Sequence, residues 1–292
     1  NMIHIPVLQK EVIEYLNPKK NENFIDATID GGGHTKEILK RNKPNGKVLG
    51  IELDNDIFKK LKKERIERLV LINDSYINLK KVILKYNFKP VNGILFDLGM
   101  SSWHLEESKR GFSFLKNETL DMRYDKNNKL TAEKIINNFK EEEIEKILKE
   151  YGEEKFSKRI AKEIINERKR KPIKTTFDLI NIIKKAVPKE YQYKKIHFAT
   201  KTFQALRIAV NDELNNLSKV LPETIDVLEK NGRLVIISFH SLEDRIVKNF
   251  LKENERKKIL KILTNKPITA QREEIKRNKR SRSAKLRAAI KI

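Results

Sequence analysis

The first hundred residues alternate between short apolar runs and amphipathic segments, and this alternation constrains the fold more than any other feature of the chain. Residues 24–28, 47–53, 69–73 and 93–98 each read as a strand. Between them lie helical stripes: Ile38 with Leu39, then Ile57, Phe58 and Leu61, then Leu79, Val82, Ile83 and Tyr86. Asp54 is placed to cap the second of these helices. Strands that are largely apolar, alternating with helices, predict a parallel sheet covered on both faces.

From Leu130 to about Pro188 the strand pattern stops, and helical stripes take over, with Gly152 expected as a C-cap. The alternation then resumes. Phe203, Leu206, Val210, Leu214 and Leu217 fall on one face of a single expected helix. Asn231-Gly232 makes a turn, residues 234–239 form a fifth strand, and His240-Ser241-Leu242-Glu243-Asp244 opens a helix with Ser241 as its cap. Residues 259–263 and 286–292 are candidates for an antiparallel edge. The expected organisation is an α/β sheet domain in two pieces, 1–108 and 199–292, around an all-helical insert, 109–198.

Three strand ends carry candidate chemistry. The first is Asp26-Ala27-Thr28-Ile29-Asp30-Gly31-Gly32-Gly33-His34-Thr35, where glycines let the backbone approach a ligand. Its spacing matches neither G-x-G-x-x-G nor the P-loop. Glu52 ends the second strand, where a carboxylate can accept from both hydroxyls of a ribose. Together they indicate an adenosine-type ligand; a tight turn beside a surface Glu is the alternative. The second is Asp97, which faces the same crevice if strands one and four are neighbours and otherwise caps a loop. The third is the cluster His240, Ser241, Glu243 and Asp244. No G-x-S-x-G elbow accompanies it, so a serine-hydrolase triad is excluded, and a polar helix N-terminus remains the alternative.

The chain has no cysteine, which excludes thiolate nucleophiles, cysteine zinc sites and iron–sulfur clusters and fits a reducing compartment. No metal site is expected. With 64 Lys+Arg against 41 Asp+Glu the net charge is +23, which points to a polyanionic partner unless lysine is simply favoured throughout. Residues 252–292 hold 15 Lys/Arg and 4 Asp/Glu, so +11 falls in this last segment. Within it Arg280, Arg282, Lys285 and Arg287 alternate with small residues, which suits phosphate contact. Leu286 and Ile290 equally permit the segment to fold back on the sheet. No stretch approaches the roughly 20 apolar residues of a membrane span. Residues 1–6 lack the pattern of a secretory signal.

Further segments occur in a fixed order along the chain: His4-Ile5-Pro6-Val7-Leu8, the glycine turn, residues 93–102, Arg110-Gly111-Phe112-Ser113-Phe114, Leu120-Asp121-Met122-Arg123, Tyr151-Gly152-Glu153-Glu154, and residues 202–211, 238–245 and 280–287. Over nearly its whole length the chain resembles the bacterial MraW/RsmH family, the S-adenosylmethionine-dependent 16S ribosomal RNA cytosine-N4 methyltransferases. The resemblance implies a class I methyltransferase (Rossmann-like) sheet interrupted by a helical substrate-recognition domain. It implies a cytoplasmic enzyme acting on one cytosine in the decoding centre of the small ribosomal subunit.

By motif match, Gly32, Gly33 and His34 would hold the methionine end of the cofactor. Glu52 would take the ribose hydroxyls, Tyr76 would pack near the adenine, Asp97 would close the site and His104 would contact the cofactor. The chain departs from the family pattern at Asp30, at Glu52 where Asp is common, at Tyr76 where Phe is usual, and at Trp103-His104 where Pro-Gln is usual. Asp97 is the leading candidate to accept an amine N–H, and His240 a second candidate for binding the base or taking the proton. Arg280, Arg282, Lys285 and Arg287 would contact RNA. The absence of cysteine separately excludes C5 methylation through a cysteine adduct and a zinc deaminase. An exocyclic amine must leave its helix to react, so single-stranded or flipped RNA is expected.

Overall fold

A computed structural model describes residues 6–292. His4 and Ile5 of the first motif, with most of the segment read for a secretory signal, lie outside the described residues. In chain order the elements are α1 (Gln9–Leu16), β1 (Phe24–Asp26), α2 (Gly33–Arg41), β2 (Val48–Glu52), α3 (Asn55–Lys63), β3 (Leu69–Asn73), α4 (Leu79–Lys85), β4 (Gly93–Asp97), α5 (Ser102–Glu106), α6 (Ala132–Asn138), α7 (Glu141–Gly152), α8 (Ser157–Arg168), α9 (Thr176–Ala186), α10 (Lys189–Gln192), α11 (Thr200–Asn211), α12 (Glu213–Val227), β5 (Arg233–Ser238), α13 (Ser241–Arg256), β6 (Leu260–Ile262), α14 (Arg272–Arg277) and β7 (Lys285–Lys291). Short 3-10 turns occupy Tyr76–Asn78 and Lys279–Ser283. The chain forms two compact units, one ending at Ser101 and resuming over Leu214–Ile292, the other Ser102–Glu213.

The first unit holds a seven-stranded sheet in the order β3-β2-β1-β4-β5-β7-β6. β1 to β5 run parallel, and β7 is antiparallel to both its neighbours. Successive strand side chains point to opposite faces, so each strand feeds two cores. Ile94, Phe96, Leu234 and Ile236 pack with Leu79, Val82 and Ile83 of α4, Leu217 and Leu221 of α12, and Val247 and Leu251 of α13. Leu95, Val235, Ile237 and Leu286 pack on the other face with Val12 and Leu16 of α1 and Ile38 and Leu39 of α2. These strands are therefore apolar without interruption, as a sheet covered on both sides requires. Strand order runs outward from β1 to β3, then returns to β4. Loops after β1 and β4 consequently diverge and open a crevice at the strand ends. The pairing Asp26↔Leu95 sets Asp97 at its rim.

The second unit is helical, apart from an isolated bridge between Thr119 and Thr175. It is wider than the insert read from the sequence, because α11 docks on α7. Gln204 Nε2 donates to the Tyr151 carbonyl at 3.0 Å. Gly152 is the last residue of α7 and not its cap, which is Glu153 at φ 47°. A Cβ on Gly152 would lie 2.6 Å from the Lys201 carbonyl oxygen, so glycine is needed for this helix contact. The single helix expected through Phe203 and Leu217 is in fact two, broken where Asp212 turns left-handed at φ 50°. Among the described residues no helix is long and apolar enough to cross a membrane.

Candidate functional site

The glycine turn leaves β1 at Asp26 and enters α2 at Gly33. Gly32 adopts φ 71°, a left-handed conformation that a side chain would strain. A Cβ on Gly33 would sit 2.3 Å from Pro6 Cγ. The turn thus brings bare backbone and the N-terminus of α2 to the crevice, an arrangement that favours an anionic group.

Side chains lock this turn to the neighbouring strands. Thr35 Oγ1 donates to Asp26 Oδ2 at 2.7 Å, and the Asp97 amide donates to Thr28 Oγ1 at 2.6 Å. Glu52 accepts from the Asp30 amide at 3.0 Å and from the Asp54 amide at 2.7 Å, one bond on each oxygen. A carboxylate offers about four acceptor positions, so both oxygens keep capacity for hydroxyl donors. Burial, with the neighbouring Asp30 and Asp54 charges, pushes the Glu52 carboxyl well above its ordinary range, despite those amides. Burial also pushes Asp26 up to about 6, against the opposing effects of His34 and the Thr35 hydrogen bond.

His34 and Asp97 meet across the crevice, with Nε2 3.5 Å from Oδ2. Both ring nitrogens of His34 and Oδ1 of Asp97 are buried without a hydrogen-bond partner. Buried polar atoms are seldom left so in a folded protein, and a bound ligand or an ordered water completes such a site. Tyr76 follows β3 and sets its ring edge-on to Phe96 at 5.7 Å. Asp97, His34, Glu52 and the glycines therefore lie together along the ends of β1, β2 and β4, and Tyr76 follows the end of neighbouring β3.

At the end of β5, His240 caps α13 in place of the expected Ser241. Its Nδ1 accepts the Glu243 amide at 3.4 Å. Ser241 is the first helical residue, and the Phe239 amide bonds Glu243 Oε2 at 2.8 Å. A capping Nδ1 needs its lone pair, so the proton of a neutral ring resides on Nε2. That Nε2 lies 3.2 Å from Glu243 Oε1 without hydrogen-bond geometry. His240 is thus arranged to donate from Nε2.

His104 belongs to the second unit, on α5, with its ring 5.0 Å from those of Phe112 and Tyr124. The basic segment does fold back, as β7. Arg287 is buried and makes a two-pronged pair with Asp244, at 2.7 and 3.2 Å, so it is a sheet residue and not an open phosphate contact. Lys285 stands 3.6 Å from the same carboxylate. Burial opposes ionisation of Asp244, but Arg287 and Lys285 hold its carboxyl below the usual value. Arg280 donates to the Met100 carbonyl, whereas Arg282 is exposed. Asp244 stood in the third candidate cluster by sequence, but not as the partner of Arg287, and Asp26 opened the glycine segment without a role of its own; the structure gives Asp244 the pairing and Asp26 the bond to Thr35.

The sheet order, its reversed β7 and a crevice where the order turns back define a class I methyltransferase domain. The chain is 48% identical over 293 residues to the ribosomal RNA small subunit methyltransferase H of a Sulfurihydrogenibium species, with 99% of each chain covered. It is 46% identical over 306 residues to the protein of that name from Halothermothrix orenii, covering 99% of this chain and 98% of that one. The MraW methylase family matches residues 1–292, and the chain belongs to that family, whose methyl donor is S-adenosylmethionine. The residues present fit this donor. The unfilled nitrogens of His34, the free oxygen of Asp97 and the glycine turn supply polar partners for an amino-acid end, and Glu52 retains acceptors for hydroxyls.

Proposed function

We propose that this protein transfers a methyl group from S-adenosylmethionine to the N4 amine of a cytosine in the decoding centre of small-subunit ribosomal RNA. The observation that carries this reading is the unsatisfied His34–Asp97 pair at the strand-order reversal, above a glycine turn and Glu52. The names of the relatives support ribosomal RNA as substrate. Gly32, Gly33 and His34 hold the methionine end, Glu52 the ribose and Tyr76 the adenine side. The helical insert serves substrate recognition.

S-adenosylmethionine, when bound, supplies a methyl group on a positively charged sulfur. The lone pair of a cytosine amine is delocalised into its ring, which makes it a poor nucleophile. Asp97 Oδ1 accepts one amine N–H and localises that lone pair as the N–C bond forms and the S–C bond breaks. The same oxygen is placed to receive the proton that the nitrogen then sheds. His240 donates from Nε2 to an acceptor on the base, which makes it a binding group in preference to the proton acceptor. Catalysis here is chiefly alignment of two reactants and needs no covalent adduct. A cytoplasmic location, and small subunits as the physical substrate, accord with this reading.

Asp97→Ala is expected to abolish methyl transfer while ribosomal RNA affinity, measured by filter binding, stays within about twofold. Turnover near the normal rate would remove Asp97 from the mechanism.

A further inference from the structure

A groove of about 440 Å3 lies beside β3, the terminal strand of the sheet, and neither Asp97 nor His34 lines it. Phe58 and Lys62 of α3 line it, as do Lys81 and Lys85 of α4 with the adjoining Tyr86, and Leu71 and Asn73 come from β3. Lys62 Nζ lies 5.6 Å from the Phe58 ring centre and Lys85 Nζ 5.5 Å from that of Tyr86. Nearby lysines have found acids: Lys80 pairs with Asp226 at 3.0 Å and Lys36 with Glu64 at 2.6 Å. Among the described residues Lys62, Lys81 and Lys85 have no such partner. The groove's acid, Asp74, spends Oδ1 on the Ser75 amide and Asn78 Nδ2, at 2.7 and 2.8 Å. Tyr86 is 43% exposed, so much of its side chain meets solvent.

We infer that this groove binds a single-stranded segment of ribosomal RNA that flanks the target cytosine. Unpaired ammonium groups from two helices meet the phosphates, and the Tyr86 and Phe58 rings stack bases, the combination by which single strands are held without base readout. The inference rests on the proposed ribosomal RNA substrate. It also supplies anion contacts that Arg287, committed to Asp244, does not. Lysines beside an open sheet edge have a rival purpose, since they repel a second strand.

The test uses the full chain carrying Lys62→Gln, Lys81→Gln and Lys85→Gln together, and separately Tyr86→Leu. Affinity for a single-stranded 16S fragment is measured across a salt series, with S-adenosylmethionine affinity by calorimetry as the control for folding. With cofactor affinity unchanged, the triple variant is expected to bind RNA more weakly, its log–log salt slope falling by about 0.7 per lost phosphate contact. Tyr86→Leu is expected to weaken binding about tenfold at unaltered slope. Wild-type RNA affinity and slope in the triple variant would overturn the inference, and self-association alongside them would assign the lysines to guarding the edge. A wild-type chain that binds cofactor but neither binds nor methylates ribosomal RNA would contradict the substrate reading itself.

Discussion

Asp26 lies at the end of β1 with 1% of its surface exposed, held by Thr35 and pushed up to about 6 by burial. In the unfolded chain its carboxyl returns to about 3.8. The folded state therefore holds the proton more tightly, and this residue's contribution to stability falls as pH rises between those values, by up to roughly 3 kcal/mol, then levels off. Asp26→Asn removes that dependence. Urea unfolding at pH 4 and pH 7 is expected to show the variant gaining on wild type as pH rises, and a constant difference would contradict this. The positions of Glu52 and Asp97 at strand ends were legible in sequence, because the apolar runs before them mark where β2 and β4 stop. The role of Asp26 was not, because it depends on Thr35, two residues beyond the glycines and nine from Asp26. The His240 cap was hidden for another reason: Ser241, a preferred capping type, stands beside it.

All five parallel strands were readable from their apolar runs: β1, β2, β4 and β5 are buried on both faces and show no alternation, and the half-buried edge strand β3 is apolar as well. Helix boundaries were less so. The stripe from Phe203 to Leu217 spans two helices, since apolar spacing alone does not register a left-handed residue such as Asp212. β7 was legible as an apolar edge, yet its arginine was read as an RNA contact. Its partner, Asp244 on α13, is 43 residues distant, and charge in a local run does not reveal such a pairing. Removing one member of a buried ion pair strands the other. Arg287→Ala is expected to cost about 3 kcal/mol at neutral pH by chemical denaturation. Because pairing lowers the Asp244 value, that cost should fade as pH falls below the ordinary carboxylate range. A loss below about 0.5 kcal/mol at pH 7 would return Arg287 to the surface.

Across the whole molecule, the net charge of +23 no longer concentrates its meaning in the final segment. Part of that segment is sheet, with Arg287 paired and Arg280 on a backbone carbonyl, while unpaired lysines gather at the opposite edge beside β3. Composition was readable as a sign of a polyanionic partner, but not where the charge stands free, which tertiary pairing decides. The central claim concerns the acceptor atom. The direct measurement is to supply methyl-labelled S-adenosylmethionine with free 16S RNA or with small subunits, digest the RNA and identify the labelled nucleoside by mass spectrometry. The account predicts a single labelled nucleoside, N4-methylated cytidine from the decoding centre. Label on a ring carbon, on a ribose oxygen or on another base would contradict it.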